Sequence, residues 1–414
     1  MNHPLTGLIG VALLFAIAIL ASSNRRAIRP RIVLACFALQ LGIAVLVLYS
    51  GFGKAALQAA ASGMETLLSF SDAGISFMFG PLGDPGGPAG FVFFTRVLPV
   101  IIFFAALMEV LYHLKVMPFI VKWGGRFIRV VTGTRPIESL NVVANIFVGQ
   151  VEAPISLKPY LGNISRYELF TIMVSGLASI AGSVMAGYIA LGISADYLIA
   201  AAFMSAPAGL MMAKIIMPEP PELAKTAAVE PVMAEPEGGK REYSNVFLAA
   251  ANGAQSGVQI AIAVAAMLIA FTSLIALVNG LLGWLGGFFG LDALSIQSIL
   301  GTLFSPLMWS VGVPWEEARA AGGIFGEKIV LNEFIAYLSL AAEMESFSPR
   351  TQTILTFALC GFANFASIGI LLGGLGTIVP DRKGEIARMG LKAVFAASLA
   401  NLMSAALAGI LVGL

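Results

Sequence analysis

Residues Asn141 to Tyr160 read NVVANIFVGQVEAPISLKPY, and residues Gly323 to Leu340 read GIFGEKIVLNEFIAYLSL. Both runs are apolar enough to enter a bilayer, yet each carries a polar cluster at its middle: Gly149, Gln150 and Glu152 in the first, Asn332 and Glu333 in the second. A helix spans the hydrocarbon core in about 20 predominantly apolar residues, and lipid cannot hydrogen-bond a carboxylate or an unwound backbone. Neither run reads as a full crossing. Each reads as a re-entrant hairpin that enters and leaves on one side, its carboxylate near the tip and facing a cavity enclosed by protein.

The 414 residues around these hairpins are 58% hydrophobic and 11% charged, with a mean hydropathy of +0.90. Soluble chains carry about 25% charged residues, so this composition is that of an integral membrane protein. Two histidines, His3 and His113, and two cysteines, Cys36 and Cys360, are too few for a zinc, haem or iron-sulfur centre or a disulfide framework. A net charge of +1 leaves no basic stripe for phosphates, which excludes nucleic acid as a partner. An intramembrane enzyme would need a nucleophile-base pair or a metal triad, and neither HExxH nor GxSxG occurs. A channel would line a continuous polar pore, whereas the polar groups here gather at two tips.

Eight full spans accommodate every basic cluster: 5–21, 32–48, 91–112, 165–190, 195–217, 244–282, 352–378 and 384–413. Arg25 and Arg26 follow the first run instead of preceding it, the wrong order for a cleaved signal peptide. Arg25, Arg26, Arg29 and Arg31, and later Arg382, Lys383, Arg388 and Lys392, put their loops in the cytoplasm and both termini outside. Residues 51–90 and Ile296 to Val313 are expected as external interfacial segments, and Lys115 to Arg135 as an amphipathic helix on the inner surface. Pro218 to Glu242, charged and interrupted by prolines, reads as a mobile cytoplasmic linker dividing the chain into halves.

By this count the first hairpin enters from inside and the second from outside. Each is followed by a span broken by small and polar residues, Ser175-Gly-Leu-Ala-Ser-Ile-Ala-Gly-Ser183 and Cys360-Gly-Phe-Ala-Asn-Phe-Ala-Ser-Ile-Gly369. From Glu152 to Ser183 is 31 residues and from Glu333 to Ser367 is 34, so the halves are inverted repeats whose half-helix ends converge at the midplane.

Three motifs in order, Gly149-Gln-Val-Glu-Ala-Pro154, Gly326-Glu-Lys-Ile-Val-Leu-Asn-Glu-Phe-Ile-Ala-Tyr337 and the Cys360 to Gly369 stretch, resemble the signature motifs of the concentrative nucleoside transporters. The resemblance runs from about residue 91 to the end, and the order of elements agrees through the first two spans. It implies an all-α polytopic fold in a bacterial inner membrane, with eight transmembrane helices, two opposed hairpins, and scaffold and transport domains. It also implies a homotrimer importing nucleosides with a cation by elevator-like movement. The expected division is 1–113 as scaffold, 114–217 as first repeat, 218–243 as linker, 244–288 as a further scaffold helix and 289–414 as second repeat. By motif position Gln150, Val151 and Glu152 would meet the nucleobase, with Phe362 packed beside it and Val184 nearby. Glu333, Asn364 and Ser367 would meet the ribose. A coupling sodium would sit among Asn145, Val148, Ser179 and Ile180. Family members often have Thr where this chain has Val151, which weakens or shifts base preference.

The residue chemistry suits such a ligand. Gln150 offers a donor and an acceptor to a base edge, an ionised Glu333 accepts strongly from ribose hydroxyls, and Asn145, Ser179 and unwound carbonyls offer oxygens to sodium. Other roles stay open. Glu152 and Glu333 could be buried ion-pair partners, Asn364 and Ser367 ordinary interhelical bonders, and Glu109 with His113 an interfacial anchor instead of a proton relay. Lys328 could neutralise a carboxylate and is assigned no ligand role. Proton coupling through Glu152 is the alternative to sodium.

Overall fold

A computed structural model describes residues 4–84, 86–87, 90–155, 157–224, 243–288, 290 and 294–412, and among them every regular element is helical. The chain opens with α1 (Pro4–Leu20) and α2 (Pro30–Ala44), the latter extended by a wider turn at Val45–Tyr49. Two further helices, α3 (Gly51–Ser69) and α4 (Ser71–Phe79), cover the expected interfacial segment. After α5 (Phe93–Arg96) and α6 (Leu98–His113) comes α7 (Val116–Thr132), whose spacing makes it two-faced. Met117, Val121 and Ile128 are buried on one side of α7, while Phe119, Trp123, Phe127 and Val130 are exposed on the other.

The first hairpin consists of α8 (Pro136–Phe147), an unwound tip at 148–151, and the returns α9 (Glu152–Ile155) and α10 (Lys158–Leu161). It starts at Pro136 and not at Asn141 because its charged base is internal. The buried Glu138 carboxylate accepts from the Arg135 backbone N–H at 3.1 Å and pairs with the Lys214 ammonium. The first broken span is α11 (Arg166–Ala178) and α12 (Gly182–Ala190), followed by α13 (Ala195–Ile216) and the turn α14 (Pro221–Ala224). The linker expected from Pro218 is anchored where it begins: Glu219 is buried and accepts from Arg135 Nη2 at 2.6 Å, with Arg29 at 3.8 Å. Residues 225–242 of that segment lie outside the described residues.

The second half opens with α15 (Val246–Gly287), 42 residues long, and α16 (Ile296–Ser310), which bends by 119° into α17 (Trp315–Val330). With α18 (Glu333–Glu343), α17 forms the second hairpin, so this hairpin reaches from Trp315 to Glu343 and not from Gly323 to Leu340. Glu316 and Glu317 lie in its first turn, where acidic residues favour the helix start. The second broken span is α19 (Pro349–Leu359), α20 (Ala366–Gly373) and α21 (Leu375–Ile378), and α22 (Lys383–Val412) closes the chain.

Six stretches among the described residues are long and apolar enough to cross a bilayer: Pro30–Tyr49, Phe93–His113, Arg166–Ala190, Ala195–Ile216, Val246–Gly287 and Pro380–Val412. The other two expected spans are the 17-residue α1 and the pair α19 and α20, which Gly361 and Asn364 interrupt. In the interior, α22 meets both broken spans, and α13 is buried along most of its length. The hairpins lean on the broken spans. By contrast α6 pairs with α15, which exposes Ile262, Ile269, Leu277 and Trp284. The first two helices, placed with the scaffold by chain order, pack on α13 and α22.

Candidate functional site

The discontinuities come first, because they position everything else. Helix α11 stops at Ala178 and Ser179 is extended (φ −110°, ψ 172°); α19 stops at Leu359 and Cys360 leaves the helix at φ −71°, ψ 77°. The two breaks are stitched together. The Phe362 N–H donates to Ser179 O at 3.2 Å, and Asn401 on α22 donates from Nδ2 to Ala178 O at 2.7 Å and to Cys360 O at 2.8 Å. Only glycine fits between them at position 361, since a Cβ there would lie 2.5 Å from Asn401 Oδ1 and 2.8 Å from Ala178 O.

Against this crossing the tips assemble a chain of polar side chains. Asn332 caps α18 by accepting from the Ile335 N–H at 2.9 Å, which places Glu333 at the first position of that helix. Glu333 Oε1 accepts from the Tyr188 hydroxyl at 3.0 Å and Oε2 from Asn364 Nδ2 at 2.9 Å. Asn364 Oδ1 accepts from the Ser367 N–H at 2.8 Å, and Gln150 Nε2 donates to Ser367 Oγ at 3.4 Å. All are buried. The chain thus runs from α12 through the second tip and the second break to the first tip. Tyr188 is held by its ring, whose centroid lies 4.4 Å from that of Tyr337 and 5.1 Å from that of Phe334. Two buried atoms beside these bonds, Gln150 Oε1 and Asn332 Nδ2, have no hydrogen-bond partner among the described residues. Buried polar groups are nearly always satisfied, so this acceptor and this donor suit a ligand with hydrogen-bonding edges of its own.

The remaining expected substrate residues divide. Val184 is buried on α12 one turn before Tyr188, and Phe362 is half-buried in the second break. The Val151 methyls press on Gly374, where a Cβ would come within 2.6 Å of both. Glu152 parts from Gln150. Its carboxylate curls back to the N–H groups of Gly149, Val151 and its own residue, as a carboxylate opening a helix does. It is exposed to a cavity of about 290 Å³ lined also by Glu109, Tyr112, Ser183 and Ser256. The structure therefore does not bring Glu152 into the chain of bonds that holds Gln150.

Beside the first tip, Ser179 Oγ donates to Asn145 O at 2.8 Å and Asn145 Nδ2 donates to Asn141 O at 2.9 Å. Asn145 Oδ1 is left buried with no partner among the described residues. Val148 is extended (φ −119°, ψ 164°), and Ile180 is buried in the first break. A neutral oxygen without a donor, next to two unwound stretches of backbone, fits a sodium ion.

Three contributors went unassigned in the sequence. Tyr188 carries no signal, as one aromatic residue in an apolar helix. Asn401 does carry one, being an amide inside an otherwise apolar span. Lys328 pairs with no carboxylate among the described residues; its Nζ donates to Ala358 O and to Asn401 Oδ1, both at 2.7 Å.

Known proteins resemble this chain along nearly its whole length. Residues 9–82 match the profile of the "Na+ dependent nucleoside transporter N-terminus", 94–195 that of "Nucleoside recognition" and 197–409 that of the "Na+ dependent nucleoside transporter C-terminus". The chain is 45% identical to the nucleoside permease NupC of Helicobacter pylori, over 99% of this chain and 98% of that one. It is 35% identical to sodium/nucleoside cotransporter 1 of Sus scrofa, over 97% of this chain and 63% of that longer protein. An outward-facing structure of CNTnw superposes with a TM-score of 0.94 at 46% identity, covering 99% of each chain. An inward-facing, substrate-bound structure of CNTnw superposes at 0.92 and 45% identity, covering 99% of this chain and 98% of that one.

Proposed function

The chain belongs to the Na+ dependent nucleoside transporter family, and we propose that it imports nucleosides by symport with sodium through elevator-type alternating access. The observation that carries this reading is the run of bonds Gln150–Ser367–Asn364–Glu333–Tyr188, which ties both hairpin tips to both broken spans. In this reading Glu333, with Asn364 and Ser367, takes the ribose hydroxyls. Tyr188, Asn364 and the backbone N–H of Glu333 itself occupy three of the roughly four lone-pair directions of the carboxylate and leave one for ligand. Gln150 takes the base edge with its free Oε1; Phe362 and Val184 supply apolar contact, Val151 borders the base, and Glu152 closes the tip on the cavity side. Sodium is co-transported at Asn145, Ser179 and the carbonyls of Val148 and Ile180.

The packing supports α6 and α15 as a frame and the hairpins, broken spans, α13 and α22 as the moving body. The first two helices go with the body, on which they pack. The exposed apolar length of α15 suits contact between copies in a homotrimer, and the arginine-rich loops suit a bacterial plasma membrane with both termini outside.

Calorimetric titration of the purified protein with uridine, in choline and in sodium buffers at fixed pH and then across pH without sodium, tests the coupling. Tighter binding in sodium is expected. Affinity indifferent to sodium but steeply dependent on pH would hand coupling to a proton and Glu152. Uptake of uridine, adenosine, cytidine and guanosine into liposomes under separate sodium and proton gradients tests transport, and a flux that does not saturate would mark a pore.

A further inference from the structure

We propose that the ammonium of Lys328 is a cation built into the second repeat, standing where the first repeat keeps its place for sodium, so that each protomer exchanges one cation and not two. The proposal rests on the reading that Asn145 and Ser179 hold the coupling ion.

The register of the repeats makes the two positions equivalent. Asn145 lies two residues before α8 ends at Phe147, and Lys328 lies two residues before α17 ends at Val330. The residue that caps the broken span follows the tip carboxylate by the same interval in both halves: from 152 to 179 and from 333 to 360 is 27 residues each. The first arm of each hairpin therefore meets the end of a half-helix, through the Asn145 carbonyl in the first repeat and through the Lys328 side chain in the second. In the first repeat Ser179 Oγ bonds Asn145 O, and in the second Lys328 Nζ bonds Ala358 O.

The chemistry at the two positions is complementary. The end of a half-helix is the negative end of its dipole, so a cation is favoured at both breaks. At the first, the Asn145 side chain brings an oxygen that meets no donor among the described residues. At the second, the side chain brings the positive charge itself, fully buried, with one carbonyl and one amide oxygen each at 2.7 Å. Those oxygens are the kind that would otherwise hold a soluble cation. The ammonium also fixes Asn401: Oδ1 must face Lys328, so Nδ2 must face Ala178 O and Cys360 O. The fixed charge of one repeat thereby braces the break at which the other repeat exchanges its ion.

Direct sodium binding to purified protein, measured with radioactive sodium by scintillation proximity, counts the sites. Wild type is expected to bind one sodium per protomer and Asn145→Ala none. Lys328→Ser should bind two, and Lys328→Ser combined with Asn145→Ala should keep one. Two sites in wild type, or a folded Lys328→Ser protein that binds one while the double variant binds none, overturns the tethered cation. Since Lys328→Ser removes a buried brace and could fail to fold, Asn145→Lys is the reciprocal variant. It should bind uridine equally in choline and sodium, within about threefold of wild type in sodium. If folded Asn145→Lys still needs sodium, or binds no uridine in either buffer, the positions are not equivalent and the proposal falls. Sodium binding that survives Asn145→Ala alone in full would instead overturn the reading beneath it.

Discussion

At the first hairpin tip four residues, 148–151, leave the helix, and Asn145 Oδ1 and Gln150 Oε1 lie buried without partners among the described residues. At the second tip only Leu331 and Asn332 separate the arms, and the Glu333 carboxylate, the Asn364 amide and the Lys328 ammonium are already bonded. One topology has thus produced a half whose polar groups mostly satisfy one another and a half that needs a guest. Fully satisfied buried networks rigidify, while partly satisfied ones are stabilised by whatever completes them. In the proposed reading the second tip serves as a fixed wall for the ribose and the first as the part that sodium and base complete. Each of the following substitutions breaks or sharpens that contrast.

Glu333→Gln attacks the fixed wall and should have the largest effect. Glutamine keeps the volume but turns one acceptor into a donor facing either the Tyr188 hydroxyl or Asn364 Nδ2, both now donating to the carboxylate. Hydrogen bonds to a charged acceptor are worth about 1.5–3 kcal/mol each, so nucleoside affinity should fall roughly tenfold or more. Unchanged affinity in the folded variant, by calorimetry, would remove Glu333 from the site. Free nucleobases should bind wild type far more weakly than nucleosides.

Asn145→Ala and Ser179→Ala attack the incomplete half. If sodium closes the first tip, sodium and nucleoside must strengthen each other by one common factor, and such couplings are typically about 1–3 kcal/mol, or roughly 5–150-fold. Wild type should show a choline-to-sodium ratio of uridine dissociation constants in that range, and each variant a ratio near one. A ratio that persists in both variants places the ion elsewhere.

The same contrast explains what the sequence could show. A carboxylate or amide at membrane depth is costly, so Glu152, Glu333, Asn364 and the glycine-rich breaks stand out in any linear reading, and with them the hairpins and the inverted repeat. The hairpin ends did not stand out: Glu138 and Lys214 look like surface charges until they are seen paired and buried. Motif position puts Glu152 with Gln150 at the base, but Gln150 lies in the unwound tip and Glu152 opens the next helix, and no periodicity carries across such a junction from which to read a shared face. Tyr188 meets Glu333 across 145 residues of chain, and a phenol in an apolar helix is ordinary at membrane interfaces. The packing of α1 and α2 on α13 and α22 is likewise a long-range fact, invisible to chain order.

Tyr188→Phe tests whether the wall depends on its support. The ring contacts to Phe334 and Tyr337 survive, so folding should hold, while Glu333 Oε1 loses a donor at 3.0 Å. Acting through Glu333 and not on the ligand, the bond should change binding by less than its own worth of about 1.5–3 kcal/mol, and the expected loss of affinity is about 0.7–1.4 kcal/mol, or roughly three- to tenfold. If Tyr188 acts through Glu333 as the proposed ribose-binding carboxylate, the loss should be the same for uridine, cytidine, adenosine and guanosine. A loss that varies with the base would put Tyr188 in contact with the base and dissolve the division between the tips.

Val151→Thr is the smallest and most selective change. Threonine nearly conserves volume but replaces one of the methyls now pressed on Gly374 with a hydroxyl that can donate and accept. Position 151 lies in the same unwound stretch as Gln150, whose Oε1 is the open acceptor of the first tip. A hydroxyl there adds a polar contact only when the tip closes over a base. Base contacts of this kind discriminate by about 0.5–1.5 kcal/mol, so the order of preference among uridine, cytidine, adenosine and guanosine should change by a few-fold, with overall transport little altered. Competition of each nucleoside against labelled uridine in liposomes would show it. If all four shift by one common factor, position 151 serves the packing against Gly374 and not the base, and base recognition at the first tip rests on Gln150 without its neighbour.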